Sequence, residues 1–132
     1  MFTQIACIAI AIYFEARSEP LRGQVAVANT IINRVRSPHF PDTPCDVVKQ
    51  GRYWAGHPLR NQCHFSYWCD GKPETINDEK AYTLALSIAV NAERLYDVTQ
   101  GATYYHRDDV KPYWIENLRT RRQIGRHIFY RE

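Results

Sequence analysis

In AIYFEARSEP, residues 11–20, two carboxylates enter what otherwise reads as a buried helix face. Glu15 and Glu19 follow Ile5, Ile8 and Ile12 at steps of three and four, so they fall on the apolar stripe of an amphipathic helix. A carboxyl held there is desolvated, which disfavours its ionised form and raises its pKa. Such a group stays protonated near neutrality and can donate its proton. Glycosidic bond cleavage needs such a donor, because the departing sugar oxygen must be protonated as the bond breaks. The competing reading for Glu15 is an ion pair with Arg17, Arg22 or Arg34, and spacing alone tips toward it. Glu19, one turn on, is either the second carboxylate of a glycosidase or a cap for the next helix. The supporting role is the preferred one.

Other side chains with chemistry to offer are Ser66, Tyr104, Tyr105, His106, His127 and Tyr130. His106 and His127 fall in two short alternating stretches and are expected to face one groove. A lone histidine is as readily a structural residue, so residue type alone assigns neither a role. No nucleophile elbow, phosphate-binding loop or dinucleotide fingerprint is present.

Four cysteines stand at positions 7, 45, 63 and 69. Cys7 lies in the apolar first helix and reads as a buried free thiol. Cys45, Cys63 and Cys69 allow one disulfide if the protein works outside the cytoplasm. A zinc site using His57 and His64 is the alternative, without a C-x-x-C or H-E-x-x-H pattern behind it. No metal and no cofactor is expected.

The elements that must position these residues are mostly helical. The first helix is expected over residues 3–17. A second begins at Pro20, capped by Glu19 or Ser18, and buries Val25, Ala28, Ile32 and Val35. Three prolines in SPHFPDTP break the chain, then Thr43 caps a short helix, PCDVVKQ, that Gly51 closes in a left-handed conformation. Residues 52–73 read as a long ordered loop, a length that is uncommon without a function. Asn77 caps the clearest helix, whose stripe is Ala81, Leu84, Ala85, Ile88, Ala92 and Leu95. ATYYHR and RHIFYR read as strands with a helical turn in VKPYWIENLR between them. Phe2, Phe14 and Phe129 are assigned to the core.

With 132 residues, 45% apolar and 23% charged, the chain suits one globular domain over residues 1–132. Residues 1–106 balance ten basic against ten acidic side chains, whereas 107–132 hold seven against four and supply the whole excess of +3. That excess is too small for a dedicated nucleic-acid binder. No segment is apolar enough to cross a bilayer. MFTQIACIAIAIYF lacks the basic start and small-residue cleavage site of a signal peptide and is taken as a structural helix.

The stretch IYFEARSEPLRGQVAVANTIINRV resembles the opening of the spore-cortex-lytic, SleB-type cell wall hydrolases. The resemblance continues in order through FPDTPCDVVKQ, CHFSYWCDG, GATYYHRDDVKPYW and IGRHIFYR. It implies an α+β, mostly helical, lysozyme-like domain of the lytic transglycosylase type, acting as a monomer on peptidoglycan glycan strands. It makes Glu15 the catalytic acid and base and Glu19 the second motif carboxylate. Phe65, Ser66, Tyr105, His106, His127 and Tyr130 would line the glycan groove. Two residues depart from the pattern: Ser18 stands where the family has Gly, and His64 where Gln precedes Phe-Ser. The expected reaction is cleavage of the β-1,4 bond between N-acetylmuramic acid and N-acetylglucosamine with a 1,6-anhydro product. A hydrolytic muramidase, a non-catalytic peptidoglycan binder and a zinc amidase are the alternatives. The expected setting is a phage endolysin made in the cytoplasm and released to the wall through a holin, or a piece of a larger bacterial enzyme.

Overall fold

Alanine and isoleucine dominate the first sixteen residues, and both suit a helix buried on nearly every side. The computed structural model describes residues 2–132, with the side chains of Phe2 and Thr120 outside the described set. Helix α1 spans Phe2–Ala16. Ile8, Ala9, Ala11, Ile12, Tyr13 and Ala16 are all buried, and the other helices pack around them. The core assignments of Phe14, half-buried, and Phe129, fully buried, hold; that of Phe2 concerns a side chain outside the described residues.

Helix α2 spans Leu21–Arg36, with Pro20 as its N-cap and no side-chain capping bond. Neither Ser18 nor Glu19 caps it, because the Glu19 carboxylate is engaged elsewhere. Ala28 and Ile32 are buried as expected and Val25 and Val35 are half-buried. Helix α3, Pro44–Val48, starts at the Thr43 cap, whose hydroxyl accepts from the Asp46 amide. Helix α4 spans Glu79–Asn91 and is capped by Asp78, one residue later than expected, through a bond from the Ala81 amide. Its buried stripe uses Ala89 in place of Leu84, which is 40% exposed.

The expected loop at 52–73 is a β-hairpin followed by a helical turn. Strands β1, Gly51–Trp54, and β2, His57–Cys63, pair antiparallel, and a 3-10 turn follows at Ser66–Cys69. Ala55 and Gly56 both carry positive φ (51° and 82°), the backbone of a tight two-residue hairpin turn. Gly51 does not end α3 in a left-handed conformation. It opens β1, and a Cβ there would sit 2.8 Å from the Cys63 Cα, so close strand approach is what demands glycine.

A second sheet holds β3, Tyr104–Arg107, β4, Arg119–Ile124, and β5, His127–Arg131, in the antiparallel order β3-β5-β4. The helical turn between β3 and β4 lies at Tyr113–Asn117. Two strands were expected here; the third, β4, lies on an edge of the sheet and carries Arg119, Arg121 and Arg122. Register pairs Tyr105 with Phe129 and Arg107 with His127, so Tyr105, His127 and Phe129 share the face toward the helices, while Tyr104, His106 and Tyr130 share the other face. His106 and His127 therefore lie on opposite faces, not in one groove.

Two disulfides staple the helices and the hairpin. Cys7 is no free thiol: it bonds Cys45 across α1 and α3, and Cys63 bonds Cys69 between β2 and the 3-10 turn. All four cysteines are thus paired, which leaves no thiolate for the zinc alternative. Among the described residues no helix is long and apolar enough to cross a membrane.

Candidate active site

Glu15 sits in the last turn of α1, at the helix end where the macrodipole disfavours an anion. Tyr105 reaches it from β3 and donates its hydroxyl to Glu15 Oε1 at 2.5 Å. Burial pushes the carboxyl up from 4.5 to about 7, against the lowering effect of the Tyr105 bond. Among the described residues no cation pairs with Glu15. Arg17 donates to the Tyr13 hydroxyl and lies over its ring, and Arg34 binds Thr103, Gln50 and His64. The structural ion pair favoured by spacing is absent from the described residues, and a protonated, donor-capable acid is what the surroundings support.

The aromatic walls explain the desolvation. Tyr67, from the 3-10 turn, stacks on Phe14 at 5.3 Å; its phenol is raised by burial first and then by the nearby Glu15. Tyr105 is edge-on to Phe65 at 6.1 Å and to His127 at 5.0 Å, and lies 5.3 Å from Phe129. Burial and Glu15 hold the Tyr105 phenol well above its ordinary value, so it keeps its proton and acts as a donor. Tyr67 was not among the candidates; its place two residues after Phe65 in FSYWC was the available signal.

Glu19 makes different contacts. Its Oε1 accepts the Arg126 amide at 2.7 Å and lies 3.9 Å from His127 Nδ1, a buried atom with no hydrogen-bond partner. Its side chain packs across two glycines. A Cβ at Gly23 would come within 3.1 Å of the Glu19 Cβ, and one at Gly125 within 2.3 Å of its Oε1. Glu19 thus ties the β4–β5 turn to the corner between α1 and α2. Ser18 in that corner has no positive φ, so serine in place of glycine costs no backbone strain.

The remaining candidates divide. Phe65 is 1% exposed and supports Tyr105 from below, so it offers no face to a sugar. Ser66 is exposed at the start of the 3-10 turn. His106 Nε2 and the Tyr130 hydroxyl share a 2.9 Å bond on the far face of the sheet, with Trp114 edge-on to both rings. The structure therefore gathers Glu15, Tyr105, Phe65 and His127, with Glu19 behind them, and separates His106 and Tyr130 from that group.

A family model described as Cell Wall Hydrolase matches residues 18–130. The chain belongs to the SleB-type cell wall hydrolases. It is 39% identical over 126 residues to a spore cortex-lytic enzyme of Halalkalibacterium halodurans, an alignment covering 95% of this chain and 34% of that protein. The spore cortex-lytic enzyme of Bacillus subtilis is 35% identical over the same length, again 95% of this chain and 36% of the relative. The chain thus spans about a third of the length of these curated relatives. Among solved structures, the catalytic domain of the germination-specific lytic transglycosylase SleB from Bacillus anthracis superposes with a TM-score of 0.71 at 35% identity, covering 97% of this chain and 93% of that one. The Bacillus cereus SleB catalytic domain gives a TM-score of 0.72 at 32% identity, covering 99% and 91%. The α+β, lysozyme-like fold expected for a SleB-type cell wall hydrolase is the one this chain adopts.

Proposed function

We propose that this domain is a lytic transglycosylase of peptidoglycan, cleaving the β-1,4 bond between N-acetylmuramic acid and N-acetylglucosamine with Glu15 as its single catalytic carboxyl. The observation that carries the reading is a carboxyl raised to about 7, bonded to Tyr105, beside a second carboxylate already committed to a backbone amide. Protonated Glu15 gives its proton to the oxygen of the departing N-acetylglucosamine. The positive charge that develops at the muramoyl C1 is steadied by the substrate's own N-acetyl group. Ionised Glu15 then removes the proton from the muramoyl C6 hydroxyl as that oxygen bonds C1, which closes a 1,6-anhydro ring and restores the acid. One group serves both steps because its pKa lies near neutrality.

The setting we read for it is the wall, outside the reducing cytoplasm, and its two disulfides support an oxidising place of action. An endolysin delivered through a separate pore fits that reading. The test is turbidity loss of purified peptidoglycan with mass spectrometry of the soluble products. Anhydro-muramoyl ends are expected. Reducing ends throughout would make water the acceptor and the enzyme a muramidase, and binding without release would make the domain a wall-binding module.

A further inference from the structure

Arg34 is a buried cation, 5% exposed, with no counterion among the described residues. Burial lowers its pKa, the direction expected of a charge that is costly to hold. Its partners are neutral and come from three separate segments. Nε donates to the Thr103 carbonyl at 2.7 Å, and Nη1 to Gln50 Oε1 at 3.1 Å and to His64 Nδ1 at 3.0 Å. The rings of Phe40, Tyr104 and Phe65 stand 4.6, 5.4 and 5.7 Å from the guanidinium carbon.

Each partner borders a wall of the candidate site. Thr103 leads directly into β3, which carries Tyr105. The preceding carbonyl, Ala102, is held by Asn33 at 2.9 Å, so neighbouring side chains of α2 grip consecutive carbonyls at the start of that strand. Gln50 and His64 flank the β1–β2 hairpin and are joined by a 3.0 Å backbone bond. Residues after His64 supply Phe65, which packs against Tyr105, and Tyr67, which stacks on Phe14 near Glu15. A planar guanidinium can span both walls at fixed angles; a lysine ammonium has no such fork.

We propose that Arg34 is a positioning residue for the reaction of Glu15, pinning the sheet wall to the hairpin wall, and that His64 makes this pin open in acid. The proposal rests on the reading of Glu15 as the acid. The Arg34 contact requires His64 to be neutral, with its lone pair on Nδ1 and its proton on Nε2. A second proton would set N–H against N–H and two positive charges 3.0 Å apart. Arg34 from α2 is the charged group facing His64, and Tyr104 from β3 is the titratable group across the same guanidinium. Burial and Arg34 both lower the His64 pKa below its usual 6.5, so the pin opens only on the acid side of that value.

A single catalytic carboxyl that must start protonated gives a rate that falls only on the alkaline side. The experiment is therefore the pH dependence of kcat on soluble glycan strands for the wild type, His64→Gln and Arg34→Lys, with Glu15→Gln beside them. The wild type should show an acid limb below 6.5 that His64→Gln flattens, while the alkaline limb near 7 stays. Arg34→Lys should lose roughly 10- to 100-fold, in kcat more than in KM, since loosened positioning costs that much. An acid limb that persists in His64→Gln, or Arg34→Lys at the wild-type rate, overturns the proposal. Should Arg34→Lys fail to fold, His64→Gln decides alone. If Glu15→Gln keeps its activity, the assignment of the acid fails instead, whatever the other variants do.

Discussion

Glu15 and Glu19 stand four residues apart, the first in the last turn of α1 and the second in the corner that follows it, and their surroundings could hardly be less alike. Glu15 points among aromatic rings, holds one hydroxyl donor, and is pushed up to about 7 by burial. Glu19 accepts a backbone amide from the β4–β5 turn and packs against Gly23 and Gly125, where an added Cβ would come within 3.1 and 2.3 Å of its side chain. The first carboxyl keeps its proton available near neutrality, and the second spends its acceptor on architecture. A shared place on the apolar stripe read from the sequence does not confer equal chemistry: α1 ends between the two groups, and the elements that close over each decide it.

The substitution that presses hardest on this contrast is Glu15→Gln. Loss of the acid should lower peptidoglycan turnover by about 10³-fold or more, within the range for removing general acid–base catalysis. Stability should move the other way. Because the folded pKa is raised from 4.5 to about 7, the native state binds more protons than the unfolded chain across that window. Wild-type stability therefore falls as pH rises from 4.5 through about 7 and stays lowered above it. At about 1.4 kcal/mol per pKa unit the burden is at most roughly 3 kcal/mol. Thermal melts at pH 8 should show Glu15→Gln as the more stable protein, with the advantage gone in acid. Equal melting temperatures at both pH values would mean that Glu15 is not desolvated.

Tyr105→Phe tests the same site with a smaller effect. The ring that packs on Phe65, His127 and Phe129 is kept, and the 2.5 Å donor to Glu15 is lost. That bond lowers the carboxyl pKa, so its removal should move the alkaline limb of the rate profile upward by about one unit, the scale of a hydrogen bond to a charged group. The plateau rate should drop about tenfold as the carboxyl loses its orientation. An unmoved alkaline limb would detach Tyr105 from the acid and return it to the role of a glycan contact.

Much of this was legible in the chain. Regular apolar spacing located α1, α2 and the start of α4 to within a residue or two, although α4 ends at Asn91 and the expected stripe ran on to Leu95, and Thr43 capped α3 as its type and place dictate. Glu15 announced itself as an acid on a greasy stripe. The β1–β2 hairpin did not, because it is exposed on both faces and so lacks the alternation that marks a half-buried strand. The Cys7–Cys45 pairing was invisible because α3 crosses α1 only in the folded protein. Facing was the other failure. Strand residues point to alternate sides, and His106 and His127 could be placed on opposite faces only once the register of β3 and β5 was known. Arg34 was noted only as a partner for a carboxylate, since nothing in the sequence shows that a buried arginine will take three neutral acceptors instead.

Glu19→Gln is the mildest change and the one that separates support from catalysis. The amide oxygen can still accept the Arg126 N–H, and the new NH₂ can turn toward His127 Nδ1, the buried nitrogen that now lacks a partner. What is lost is the charge on one hydrogen bond, about 1 kcal/mol of stability, partly returned by the new contact. Turnover should stay within about threefold of the wild type, the residual coming from small shifts of the β4–β5 turn beneath Tyr105. The shape of the rate profile should not change, because Glu15 and Tyr105 are untouched. A loss approaching that of Glu15→Gln, with the melting temperature preserved, would mean that Glu19 leaves the Gly125 turn and meets the substrate. The domain would then have two working carboxylates, and hydrolysis by an activated water would displace ring closure as the preferred chemistry.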